Sequence, residues 1–219
     1  MPRLICVFVT VVLCLGASPA MPQGFRFSDD TAQREREDAE AERRAQTEDL
    51  LATPCMAKVK NQKIMVVMGE HRNGTMVANQ STYTSHTEAI NRRLRNLGLR
   101  TYTPEEIRKQ VAQAEIDAFF RNDPDAAISA ARRMAAQYIL RGVIDTQISR
   151  NPLVNVNQVA VRLDFTLTGS NGRTISEASA TNASYSGRDV LGMALTLVNE
   201  RADEVVAKLY SDYCRRTGR

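Results

Sequence analysis

The stretch "KIMVVMGEHRNGT", residues 63–75, sets Gly69 and Gly74 at the G-x-x-x-x-G spacing of a phosphate-cradling loop. The chemistry of that loop needs a Lys straight after the second glycine and a helix N-terminus at once, because both hold the anion. Here Thr75 follows Gly74, and the next helix signal is at Ser85. The glycines therefore read as a strand end running into a flexible loop, Gly69 to Thr84. His71 and His86 are the only histidines, and neither sits in an H-E-x-x-H or C-x-x-C pattern that would ligate zinc. No G-x-S-x-G elbow marks a serine nucleophile. The carboxylate pairs Glu105-Glu106 and Asp123-Asp125 stand where helices begin, and there they complement the helix dipole. No catalytic residue, cofactor or metal is expected.

The first twenty residues carry a different message. Arg3 precedes an almost wholly apolar run, Leu4 to Gly16, and Ser18-Pro19-Ala20 places small residues where a signal peptidase reads. Residues 1–20 are expected to be a secretory signal, too short for a membrane span. Leu13 precedes Cys14 where a lipobox needs a small residue, so a lipoprotein is not expected. Removing twenty of 219 residues leaves 199, and Cys55 and Cys214 as the only cysteines. In an oxidising compartment two cysteines at the two ends of a folded region suggest one disulfide, with a pair of free thiols as the alternative. Paired, neither is a nucleophile. The sequons Asn73-Gly74-Thr75, Asn79-Gln80-Ser81 and Asn182-Ala183-Ser184 matter only in a eukaryotic secretory pathway.

Charge divides the exported chain. Residues 26–50 hold five Arg against nine Asp and Glu, a net of −4. The chain without Arg3 is +3, so the remainder carries +7. A basic domain outside the cytosol meets an acidic protein, cell-wall polymer or anionic lipid. Nucleic acid is not expected, since there is no Trp and no basic stretch interleaved with aromatics. Arg92, Arg93, Arg95, Arg100, Arg132 and Arg133 are the densest positive charge, off the apolar stripes of their helices, and are candidate partner-binding residues. The alternative is a merely solvated face.

These residues need elements to place them. Residues 21–54 read as a charged extension, helical but without an apolar face, supported by the i,i+4 pair Glu40–Arg44. Residues 55–219 read as one mixed α/β domain. Lys63 to Met68 is a continuous apolar run, as in a strand buried on both faces. Ser85-His86-Thr87-Glu88 reads as a capping box, and Ile90, Leu94 and Leu97 share a face that ends at Gly98. "LRTY" is a short strand. Thr103-Pro104 opens a helix with the stripe Ile107, Val111 and Ala114, and Asp123-Pro124 another with Ala127, Ile128, Ala131 and Ala135. From Tyr138 the period falls to 2, and Val159 to Leu167 alternates cleanly. Asn171-Gly172 suggests a type I′ hairpin into a polar edge strand, Arg173 to Tyr185. A last helix, from near Arg188 to Arg215, buries Leu191, Leu195, Val198, Ala202, Val205 and Leu209 and returns Cys214 toward Cys55. The fold class is α/β (α+β), a two- or three-layer mixed sheet of order β-α-β-α-α-β-β-β-α behind a charged helix.

"AAQYILRGVID", residues 135–145, joins an alanine-rich helix to an aliphatic strand with a glycine inside it, and "INRRLRNLGLRTYTPEEI" precedes it with helix, short strand and helix. Together they resemble the bacterial envelope domains related to the curli-secretion channel CsgG, the TolB amino-terminal domain, the penicillin-binding-protein activator LpoB and the middle domain of the flagellar protein FlgT. The resemblance, over roughly residues 60–210, implies a periplasmic accessory or assembly role through contact with an envelope protein, without catalysis. Two other readings stand beside it. One is a small-ligand-binding protein or hydrolase using a cleft near the 69–84 loop. The other is a subunit of an oligomeric secretion or flagellar structure.

Overall fold

The computed structural model describes residues 27–72, 74–153, 155–186 and 190–217. The expected signal segment 1–20 and Arg188 lie outside them, as does the Leu191 side chain. The charged segment is a helix, α1 (Phe27–Leu51), and Glu40 and Arg44 pair in it at 3.3 Å. A single turn, α2 (Met56–Val59), leads into β1 (Lys63–Arg72). Then follow β2 (Thr75–Val77), α3 (Thr84–Asn96), β3 (Arg100–Thr101), α4 (Pro104–Gln110), α5 (Gln113–Phe120), α6 (Pro124–Met134), β4 (Tyr138–Asn151), β5 (Val156–Gly169), β6 (Thr174–Ser186) and α7 (Val190–Thr217). By backbone contacts the chain divides between Ala39 and Glu40, inside α1, and residues 40–219 pack as one unit. Among the described residues no helix is long and apolar enough to cross a membrane.

The sheet is mixed, in the order β2-β1-β4-β5-β6, with β3 also on β1. Strands β1 and β4 are parallel; β4, β5 and β6 are antiparallel neighbours. The apolar run of β1 is buried on both faces, as its composition requires. Ile64, Val66 and Met68 join α3 and α7 in one core, and Met65 and Val67 join α4, α5 and α6 in the other. The architecture is thus three layers around β1 and β4. The last helix crosses one layer with the stripe Val198, Ala202, Val205 and Leu209, all buried.

Several local expectations need correction. The segment after Met68 is not loop at first. Strand β1 continues to Arg72, Gly74 turns the chain at φ 78°, and β2 pairs back with Glu70 opposite Val77. The short β3 and β2 flank the outer edge of β1, and between them the fully buried Gln80 side chain takes the place of a strand. Its Oε1 accepts from Met68 N–H at 3.0 Å, and its Nε2 donates to Met68 O at 2.9 Å. Ser85 caps nothing, because α3 begins at Thr84 behind Tyr83, with no side-chain cap. A turn over 80–83 feeds the helix, so Ser85 is already inside its first turn.

The helix opened by Thr103 does have a full capping box with Glu106, but it breaks at Val111 and Ala112, both extended. The break lets α5 bury Ile116, Phe119 and Phe120 and leaves Ala114 exposed. Ala135 is exposed too, because it ends α6 in the left-handed region at φ 50°. The β5–β6 turn is not type I′: of Asn171 and Gly172 only Gly172 has positive φ, 79°, and its N–H donates to Gly169 O. That is a four-residue turn closed by a left-handed glycine, a standard longer hairpin.

Candidate interaction surface

The six candidate arginines do not form one face. Arg92, Arg93 and Arg95 are on α3, against one side of the sheet, and Arg132 and Arg133 end α6 on the other. Three of the six have structural duties. Arg93, 15% exposed, clamps α3 to α7: Nε donates to Asp203 Oδ1 at 2.6 Å and Nη2 to Oδ2 at 3.0 Å and to Asn199 O at 2.7 Å. A bidentate guanidinium–carboxylate pair of this kind fixes geometry as well as charge. Arg95 pairs with Glu88 and donates to Thr101 Oγ1, and Arg133 lies 3.5 Å from Glu115. Arg92, Arg100 and Arg132 are exposed and make no ion pair among the described residues.

What the topology does bring together is an end of the sheet. Strands β1, β3 and β4 start there, as the pairs Lys63↔Arg100 and Ile64↔Tyr138 show, and β5 ends there at Gly169↔Tyr138. Helices α3 and α6 stop there, and α7 arrives with Arg216 donating to Thr174 O. Each helix brings basic residues in its last turn, where cations complement the dipole. Lys60, Lys63 and Arg173 add to this end, so Arg100 and Arg132 become neighbours of cations that sequence spacing did not select. No local pattern marks those three; only strand register does.

The remaining surfaces are weaker. An open cleft of about 560 Å³ lies beside β2 and α5, lined by Gly74 to Asn79, Gln113, Asp117, Phe120 and Arg121. His71 is exposed and absent from it. Its polar groups satisfy one another: Gln113 Nε2 donates to Ala78 O and Asp117 Oδ1, and Asn79 Oδ1 accepts from Ser81. Edge strand β6 is shielded at two points, where Arg201 donates to Thr181 O and Arg216 to Thr174 O. Blocked edge carbonyls resist strand addition. His86 faces the interior beside Tyr83, whose hydroxyl donates to Glu70 at 3.0 Å. Burial pushes the His86 imidazole below its usual range, and the Glu70 carboxylate offsets this in part. Among the described residues no cluster of His, Cys, Asp or Glu would hold a metal. Cys55 and Cys214 form a disulfide, with Cα atoms 5.5 Å apart.

The model of the family described as "Peptidoglycan-synthase activator LpoB" matches residues 25–174, a span reaching from before α1 to the first residue of β6. No curated protein matches the chain. Among solved structures it is similar to the LpoB C-terminal domain from Salmonella enterica, at 19% identity over 59% of this chain and 93% of that one, TM-score 0.35. It is also similar to lipoprotein GNA1162 from Neisseria meningitidis, at 15% identity over 66% and 98%, TM-score 0.41. A PelC dodecamer from Paraburkholderia phytofirmans aligns at 16% identity over 67% and 88%, TM-score 0.39.

Proposed function

Because the chain belongs to the family of the peptidoglycan-synthase activator LpoB, we propose that it is an exported envelope accessory protein that stimulates a peptidoglycan synthase by protein contact, without catalysis of its own. The family match carries this reading. The cationic end of the sheet is the contact surface we assign, because Arg100, Arg132 and Arg173 are exposed there, make no ion pair among the described residues and would meet an acidic patch. Arg93 is not part of it, since its guanidinium is already spent on Asp203.

The test is capture of a peptidoglycan synthase from envelope extracts, followed by a glycan polymerisation assay with the captured enzyme. Replacing Arg100, Arg132 and Arg173 together by Gln is expected to weaken binding about tenfold or more and to flatten its salt dependence. Unchanged stimulation by this variant would remove the cationic end from the contact, and failure to capture any synthase would sink the activator reading. Export follows from cleavage after Ala20; intact-mass measurement of the envelope form separates that from acylation at Cys14.

A further inference from the structure

The opposite end of the sheet has a different chemistry. Strand β1 pairs with β4 only as far as His71↔Asp145, and β6 pairs with β5 only from Asn157. Beyond those limits the β4–β5 hairpin runs on to Asn151↔Val156. Its turn is built: Asn151 Oδ1 accepts from Leu153 N–H at 2.9 Å, Asn155 N–H donates to Asn151 O at 2.9 Å, and Asn155 takes φ 54°. That geometry presents Leu153 at the tip, 92% exposed, with Ile148 on the flank at 58%. From Thr146 to Val161 the chain contains no carboxylate, and Arg150 is its only charge.

We propose that this hairpin tip inserts into the headgroup layer of a phospholipid bilayer, with Leu153 and Ile148 entering the acyl boundary and Arg150 pairing with lipid phosphate. A narrow turn with two large apolar side chains is too small for the roughly 1,000 Å² that a stable protein interface needs. It is the right size for shallow insertion, where each apolar side chain gains independently. The missing carboxylates remove repulsion from anionic headgroups, and a guanidinium at the apolar–polar boundary pairs with phosphate while its stem stays apolar. The tip lies about 40 Å from the cationic end, the length of thirteen strand residues, so both contacts can be made at once.

The chain has no Trp, so Leu153→Trp creates a single fluorescent reporter. With residues 21–219 and vesicles of phosphatidylethanolamine and phosphatidylglycerol, its emission is expected to shift to the blue and to be quenched by shallow brominated lipids. A Ser170→Trp reporter at the cationic end is expected to show neither. In co-sedimentation, Leu153→Asp is expected to lower vesicle binding about tenfold and Arg150→Gln about fivefold. Both side chains are exposed, so neither change should alter the melting temperature. A Leu153→Trp reporter that stays in water while the protein pellets, or that is buried only when a protein partner is added, would overturn the proposal. Synthase binding by the Arg100, Arg132 and Arg173 variant is read separately, so either idea can fail alone.

Discussion

At the scale of single residues, the positions that matter most are polar groups placed where sequence suggested loop. Gln80 sits in a stretch of Asn, Ser and Thr, yet it is fully buried and bonds both backbone groups of Met68. An unsatisfied buried amide costs about 1–3 kcal/mol, which explains why a side chain fills the gap between β3 and β2. His86, which the sequence puts in the first turn of a helix, is a second polar group of this kind turned inward. Its Nδ1 is buried without a hydrogen-bond partner among the described residues, and burial lowers its proton affinity more than Glu70 raises it. The unfolded chain therefore binds a proton at His86 more readily than the fold does. Stability should fall as pH drops through the unfolded value of about 6.5, and level off below the lowered folded one. Urea denaturation at pH 7.5 and 5.5 should show a loss that His86→Gln reduces. An identical loss in that variant would mean another group is responsible.

At the scale of elements, the strongest periodicities were the most legible. The alternation from Val159 to Leu167 is β5 with Val159, Val161, Leu163, Phe165 and Leu167 buried, and the Asp123 and Thr103 caps lie where their side chains imply. What failed was local continuity. Nothing in Ile107 to Phe120 signals a break, since Val111 and Ala112 are ordinary helix residues; the second core decides it, by drawing Phe119 and Phe120 under β1 and β4. Ser85 misled for the opposite reason, because a turn the sequence does not advertise starts the helix early. Gly142 shows tertiary demand on one residue of β4. It lies opposite Phe165 on β5, and a Cβ there would collide with the Phe165 ring and the Met68 sulfur. Gly142→Val is expected to cost about 2–4 kcal/mol, because both neighbours are fully buried and would have to repack to make room. Equilibrium denaturation reads this directly, and a loss below about 0.5 kcal/mol would show that the core yields.

At the scale of the whole molecule, the cationic end could not be read from sequence, because strand register and helix ends assemble it from residues up to 156 positions apart, Lys60 and Arg216. The disulfide was legible, since the expected signal cleavage leaves only two cysteines and the last helix had the length to return. Its setting was not. Cys55 and Cys214 close a clasp in which Tyr210 donates to Thr53 O at 2.8 Å and Thr53 Oγ1 lies 3.1 Å from Ser211 Oγ. The start of the domain is thereby tied to the last turns of α7, across a separation of 159 residues. Closing a loop of that size removes denatured-state entropy amounting to roughly 5 kcal/mol on the chain-entropy model. The two hydrogen bonds do not replace it, since they form only in the folded state and contribute about 1 kcal/mol each. Reduction, or Cys55→Ser with Cys214→Ser, should therefore lower the melting temperature by about 10–20 °C, with the folded-state circular dichroism kept. The drop should be the same by either route, because both act on the unfolded chain. A shift under about 2 °C would mean that the unfolded ensemble already holds these ends together and that the clasp, not the covalent bond, closes the domain.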